Sequence, residues 1–320
     1  MQTDSEPDEI PEESARPSTP RTRGWGEPPP RRDRSPESEL PPSAMAGPIA
    51  VLSLPADPPT AEGTLARTPL VHLLVYMLDR RLTGTTCFVD PDGVRHGIFF
   101  SDGVPAKIWT GTIIAPLDRV IVELGLLGEA TLRETLREIT KRRVLHGRLL
   151  VSRGLLDRET VFGVLRQQLV RKLVALYDLS PGTRYAYYDG QNLLSSYGGP
   201  ELIGCEPLAV IMAGVRLHAD DPLIDATLDR IHSRPLGLHV EAEMKRFQLH
   251  RDEAAVVDLL RTRRMTIAEL VGAGVAQERV VRLTIYALAI TRHLDLGAPG
   301  RRPVGLGRGR ATGAPPADAG

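Results

Sequence analysis

The stretch that decides the fold runs over residues 82–111 and reads LTGTTCFVDPDGVRHGIFFSDGVPAKIWTG. It contains three runs rich in Val, Ile, Phe, Thr and Trp, which suit the pleated surface of a half-buried strand. These runs cover residues 85–89, 94–100 and 104–109. The turn sequences DPDG at 90–93 and SDG at 101–103 separate them, because proline fixes φ and glycine accepts a positive φ. The stretch therefore predicts a three-stranded antiparallel meander.

A helix and a later strand complete this unit. Thr68 and Pro69 suit the start of a helix, and apolar residues follow them at helical spacing. The stripe consists of Leu70, Leu73, Leu74, Met77 and Leu78. A meander needs cover on its apolar face, so we expect this helix to pack on it. The aromatic run 183–188 predicts a fourth strand in the same antiparallel sheet, and the fold class is therefore α+β.

A helical repeat separates the meander from the returning strand. Residues 121–136 read IVELGLLGEATLRETL, and residues 150–165 read LVSRGLLDRETVFGVL. Each copy places a glycine, Gly125 or Gly154, before a Leu-Leu pair. Glycine supplies the left-handed residue that commonly ends a helix. The sequence therefore predicts a helical-repeat insertion over residues 113–178.

Composition bounds the class of protein. The 320 residues include 40 basic and 40 acidic residues, a balance that does not favour nucleic acid or an anionic membrane as partner. The hydrophobic content of 42% is ordinary for a globular chain. Cys87 and Cys205 lack metal-binding spacing and are predicted to be reduced, buried thiols of a cytoplasmic protein. We find no apolar run long enough for a membrane span and no secretory signal.

The same patterns divide the chain into four regions. Residues 1–64 are rich in proline and charge, and residues 298–320 in Gly, Arg and Pro, so both are predicted to be disordered tails. Residues 65–200 are predicted to form the α+β domain with its insertion. Residues 201–297 are predicted to form a separate, mostly helical domain.

The order of elements at the end of this helical domain is similar to that of a winged-helix module. A long helix, a short helix containing TIAEL, a longer helix and the sequence HLDLG follow one another. In DNA-binding winged helices the recognition helix presents basic and polar residues to the groove. The last helix here carries Arg279 and Arg282 but is otherwise mostly apolar. Protein contact is therefore favoured over DNA contact, and a transcription regulator stays an alternative.

The sequence lacks recognisable catalytic signatures. There is no G-x-S-x-G elbow, no H-E-x-x-H and no phosphate loop, and the eight histidines are scattered. We therefore expect a protein that is not an enzyme and that has neither a cofactor nor a metal site.

Three motifs carry a family resemblance. They are LTG at 82–84, GIFFSDG at 97–103, and LSPG at 179–182 with the aromatic strand after it. With them, residues 65–190 resemble the PATAN-type family of bacterial signalling proteins. The resemblance implies an α+β scaffold with a helical insertion before its last strand. It also implies a non-enzymatic adaptor of the kind joined to receiver domains and linked to surface motility and type IV pili.

The second copy of the repeat carries another resemblance. GRLLVSRGLL at 147–156, followed by Gln168, is similar to the N-terminal domain of type II secretion and type IV pilus ATPases. Some members of that family bind cyclic di-GMP, which makes a cyclic di-GMP receptor a second alternative. The nucleotide-binding candidates would be Gly147, Arg148, Arg153, Gly154 and Gln168. Leu145 and His146 stand where the nucleotide binders have Arg-Leu, so a structural role for the repeat is favoured.

We therefore expect an adaptor that works by protein contact. The resemblances suggest a pilus or secretion ATPase, or a two-component signalling protein, as its partner. Turns held by a rigid sheet, and aromatic residues near them, are typical of binding faces. The partner-binding candidates are Asp92, Asp102, Trp109, Tyr185 and Tyr187. The competing interpretation places Trp109 in the core and the tyrosines on a half-buried strand.

Overall fold

A five-stranded antiparallel sheet forms the centre of the protein in the computed structural model, which describes Leu52, residues 54–219 and residues 221–297. The strands are β1 (Ala61–Thr64), β2 (Gly84–Val89), β3 (Arg95–Ser101), β4 (Val104–Thr110) and β5 (Arg184–Asp189). Their order across the sheet is β1-β5-β2-β3-β4. The predicted meander and the returning aromatic strand are thus confirmed as parts of one sheet, and the α+β class is confirmed with them.

Strand β1 corrects the predicted boundary of the N-terminal tail. The sequence places residues 1–64 in a disordered tail, but Ala61–Thr64 pairs with β5, with Ala61 opposite Tyr187. Its sequence, AEGT, has little strand propensity, so the backbone hydrogen bonds to β5 decide its conformation. Apart from Leu52 and residues 54–64, the predicted N-terminal tail lies outside the described residues, as does the predicted tail at 298–320.

Both faces of the sheet are covered. Side chains alternate between the faces of a strand, and Phe88, Ile98 and Ile108 belong to a core shared with helices. Cys87, Phe99, Trp109 and Tyr188 belong to a second cluster on the other face, which we call the outer face. Chain without helix or strand covers the outer face, because Leu52 and Leu194 complete that cluster.

The predicted insertion is mostly helical. Helix α1 (Leu70–Arg80) precedes the meander, and four helices separate β4 from β5. They are α2 (Leu117–Glu123), α3 (Glu129–Arg142), α4 (His146–Ser152) and α5 (Arg158–Ala175). Gly125 and Gly154 have φ angles of 69° and 66°, so each ends its short helix as the repeat predicts. The insertion has a small core of its own, which includes Val120, Leu150 and Val161.

Within residues 190–297 that the structure describes, five α-helices, one short 3₁₀ turn and two short strands follow β5. The helices are α6 (Pro207–His218), α7 (Asp221–Leu228), α8 (Arg251–Thr262), α9 (Ile267–Gly272) and α10 (Glu278–Ile290). Strands β6 (Gly237–Leu238) and β7 (Leu294–Asp295) pair with each other. The order α8, α9, α10, β7 matches the predicted order of elements, and the likeness to a winged helix stays a prediction. Gly274, with φ 65°, joins α9 to α10 and makes this pair a third copy of the glycine-turn unit.

The two regions predicted as separate domains share one hydrophobic core. Leu74 of α1 and Phe88 of the sheet belong to the same buried cluster as Ile211 of α6 and Ile285 of α10. The His72 imidazole and the hydroxyl of Tyr286, which is fully buried, form a hydrogen bond of 3.1 Å across this core. The hydrophobic core therefore continues across the domain boundary that the sequence predicts near residue 200.

Candidate functional site

A charged cleft of about 400 Å³ opens where the meander meets the C-terminal helices. The end of α1, the β3–β4 turn, the first turn of α6, the short 3₁₀ turn Met244–Phe247 and the end of α10 all contribute to it. Its polar lining consists of Asp79, Arg81, Asp102, Arg246, Thr291 and His293. Clefts that collect a few polar groups from several elements are the usual location of binding sites.

The β3–β4 turn and the end of α1 form one wall, and Gly103 fixes their contact. A Cβ on Gly103 would lie 2.7 Å from the Met77 carbonyl oxygen, and the residue has a φ of 79°. Its N–H donates to the Leu82 carbonyl over 2.8 Å. Asp102, with φ 51°, is held beside it because its own N–H donates to the Thr83 hydroxyl over 2.9 Å. The turn sequence SDG thus places the Asp102 carboxylate beside the end of α1.

Arg246 and His293 form the other wall. The Arg246 guanidinium donates to the Glu206 carboxylate at 3.0–3.2 Å, and this hydrogen bonding raises the pKa of Arg246. The His293 ring packs edge-on against Phe247, with centroids 4.8 Å apart. Burial lowers the pKa of His293, so its ring is mainly neutral near pH 7. This wall is therefore held by contacts within the protein, and its charge is largely paired or absent.

Asp102 and Arg81 supply the free charge of the cleft. Neither side chain forms an ion pair with another of the described residues, whereas Asp79 is 3.5 Å from Arg292 and Arg246 pairs with Glu206. The one hydroxyl in the polar lining, that of Thr291, donates to the Ala287 carbonyl over 2.7 Å. The cleft can thus recognise charge, but its lining offers no activated nucleophile.

The structure places the predicted partner-binding residues in different environments. Asp92 lies exposed on the β2–β3 turn, and Asp102 lines the cleft at the opposite end of the sheet. Trp109 is only 7% exposed on the outer face, and Tyr187 is 5% exposed and donates to the Asp189 carboxylate over 2.8 Å. Tyr185 is half-buried. Trp109 and Tyr187 are thus parts of the fold, and they do not form the exposed binding face that the sequence predicts.

Three of the nucleotide candidates are engaged within the insertion. Arg153 pairs with Glu134 over 3.0 Å and also with Glu138. Gln168 donates to the Ala115 carbonyl over 2.9 Å. A Cβ on Gly147 would lie 2.9 Å from Val161, so this glycine permits close packing of α4 on α5. Gly154 and Arg148 are exposed.

We expect the full-length chain to show no saturable cyclic di-GMP binding with a dissociation constant below about 100 μM, equivalent to a binding free energy weaker than about −5.5 kcal/mol. The physical reason is that Glu134 and Glu138 hold Arg153, which leaves Arg148 as the one candidate arginine without a salt bridge to another described residue. Isothermal titration calorimetry checks this, with the Arg148→Ala variant as the control. A micromolar dissociation constant that Arg148→Ala weakens would contradict the structural role of the repeat.

The basic residues of α10 also have partners inside the protein. Arg282 pairs with Asp225, and Arg279 donates to the Ala219 carbonyl over 3.3 Å. Most residues of α10 that follow Arg282 are buried, including Ile285 and Leu288. The helix therefore lacks the free basic face that groove recognition requires.

Sequence reasoning missed most of the cleft. Asp79 and Arg81 end a predicted helix just before the meander, and this is a local signal that could have found them. Arg246 and His293 have no local signal, since they reach the cleft from more than a hundred residues downstream of the sheet turn they face. Only the tertiary packing of α6 and α10 brings them there.

Comparisons with family models, with curated proteins and with solved structures find no match to this chain. The two family resemblances therefore stay predictions from their motifs. Within the part of the chain that the structure describes, no helix combines the length and apolar character needed to cross a bilayer. The same residues contain no group of three or more His, Cys, Asp or Glu side chains arranged to bind a metal ion.

Proposed function

We propose that the protein is a non-enzymatic signalling adaptor that binds a partner protein through the charged cleft. The observation that carries the proposal is the unpaired charge of Asp102 and Arg81 at the mouth of a cleft of about 400 Å³. Exposed charges at an interface rim steer association and select partners. A cationic segment of the partner would meet Asp102, and an acidic one would meet Arg81.

The rigidity of the surroundings supports this role. The β3–β4 turn is anchored by Gly103 against α1, and cores on both faces of the sheet hold the strands that carry it. Binding residues are commonly placed on such loops, because a fixed loop loses little conformational entropy on association. The location of Asp102 therefore suits recognition of a partner surface.

The chemistry of the cleft supports binding rather than bond-making. The Nδ1 atom of the His293 imidazole lies 3.0 Å from the Thr291 hydroxyl oxygen. That hydroxyl in turn donates to the Ala287 carbonyl in the preceding turn of α10. The partner class proposed from the resemblances is a cytoplasmic bacterial protein, either a pilus or secretion ATPase or a two-component signalling protein. This assignment rests on the quoted motifs and on the cleft together.

Photo-crosslinking from Val104 tests the proposal. Val104 lines the cleft two residues after Asp102, so a photo-reactive residue there leaves Asp102 and Arg81 in place. In the full-length chain inside its native cells we expect it to give one discrete protein adduct. The same residue in place of Val94 is the matched control, because Val94 is also a half-buried valine but lies at the opposite end of the sheet. Adding Arg81→Glu to the first variant should reduce the adduct at least about fivefold. Equal adducts from both positions, or none from position 104, would refute the cleft as the docking site.

A further inference from the structure

A socket lies in the outer face of the sheet, centred on Gly97 of β3. Gly97 is paired in register with Cys87 of β2 and with Trp109 of β4, so larger side chains stand on both sides of a residue that has none. A Cβ on Gly97 would lie 3.0 Å from a methyl of Leu52 and 3.5 Å from a methyl of Leu194. The missing side chain thus provides the space that Leu52 fills.

Leu52 is bound in this socket by its side chain and by its backbone. Its exposed fraction is 4%, and it belongs to the same cluster as Cys87 and Trp109. The Arg95 guanidinium donates to the Leu52 carbonyl oxygen over 3.0 Å. An apolar pocket for one side chain combined with a donor for the main chain is how extended peptides are commonly recognised.

The sequence around Leu52 has the character of a short linear ligand. It reads GPIAVLSLP over residues 47–55, an apolar run within a region otherwise rich in proline and charge. Leu52 belongs to no helix or strand, and the nearest regular element is β1. Leu54, two residues later, is 38% exposed, so Leu52 is buried while Leu54 is not.

We propose that the socket formed by Cys87, Arg95, Gly97, Trp109 and Leu194 is a binding site for a leucine-bearing extended peptide, and that Leu52 of the same chain occupies it in cis. A partner segment of the same chemistry competes for it: a leucine between small or apolar neighbours, with its carbonyl free to accept from Arg95. A lysine or arginine in place of the leucine is excluded, because it would be buried beside Arg95 without a counter-ion. The socket is independent of the proposed cleft, since none of its residues lines the cleft.

Cys87 provides a local reporter of the socket. Burial raises the pKa of its thiol to about 12, so the reactive thiolate is scarce in the folded protein. We expect Leu52→Ala in the full-length chain to increase the alkylation rate of Cys87 by iodoacetamide at least about tenfold, because both access and thiolate content rise. Peptide mass spectrometry separates Cys87 from Cys205, which lies in the other core and should keep its wild-type rate. Leu54→Ala, at the exposed leucine, should change neither rate.

Binding in trans completes the test. A synthetic peptide of residues 46–60, at about 1 mM, should restore the protection of Cys87 in the Leu52→Ala variant. The same peptide with alanine at position 52 should not. An unchanged Cys87 rate, or failure of the wild-type peptide to restore protection, would overturn the proposal. A parallel rise at Cys87 and Cys205 would overturn it as well, because Leu52 would then be an integral part of the fold and not a displaceable ligand.

Discussion

Replacing Trp109 by alanine should lower the free energy of unfolding by about 3–5 kcal/mol, the usual cost of removing a large aromatic side chain from a core. Trp109 is only 7% exposed and packs on the outer face with Phe99 and Leu194. Domains are typically stable by about 5–15 kcal/mol, so this loss removes a large share of the total. Urea denaturation followed by circular dichroism measures it.

Tyr76 offers a matched control for this experiment. It is an aromatic residue of α1 with 53% of its surface exposed, and Tyr76→Ala should change the free energy of unfolding by no more than about 0.5 kcal/mol. Trp109→Ala should also leave partner crosslinking by the folded fraction intact. A Trp109→Ala variant of wild-type stability that no longer contacts its partner would restore the interface role that the sequence predicts.

The sheet was predictable because its signals are local. The meander strands combine β-branched and aromatic runs with turn sequences that require specific φ angles, and β5 repeats the same combination after residue 182. Strand β1 has no such signal. Its residues Ala61–Thr64 become a strand because β5 offers an unpaired edge, which is a property of the assembled sheet.

The role of Trp109 could not be predicted from its strand alone. Whether a strand residue is buried depends on what covers its face, and here the cover is irregular chain. The buried Lys107 ammonium donates to the carbonyls of Gly199, over 2.8 Å, and Tyr197, over 3.3 Å, and so holds that chain against the sheet. Such cover has no periodic pattern that a sequence could reveal.

The sequence predicts two copies of the repeat, and the structure contains a third. Residues 267–281 contain a short helix, Gly274, a pair of small apolar residues and a second helix, in the spacing of the first two copies. Val275 and Ala276 replace the Leu-Leu pair, and this replacement hid the match. The cleft, by contrast, has no such local signal in the sequence, because its two walls meet only through the packing of distant helices.

Replacing Gly214 by alanine should destabilise the protein, whereas the same change at Gly163 should stabilise it. Both glycines lie inside helices, α6 and α5, where alanine is ordinarily better by about 0.5–1 kcal/mol. A Cβ on Gly163 would meet nothing within 4 Å, so that gain is expected in full. A Cβ on Gly214 would overlap the ring of Tyr177, and overpacking typically costs about 1–3 kcal/mol.

A double-mutant cycle with Tyr177→Ala separates overlap from helix propensity. Tyr177 packs against Gly214 and stacks on His218, with ring centroids 5.9 Å apart, so its loss should be destabilising by itself. With the ring removed, Gly214→Ala should become neutral or stabilising, which gives a coupling energy of at least about 1 kcal/mol between the two sites. Urea denaturation of the four variants provides that number. An equal effect of Gly214→Ala with and without the Tyr177 ring would show that the close approach of α6 to Tyr177 is not what requires glycine there.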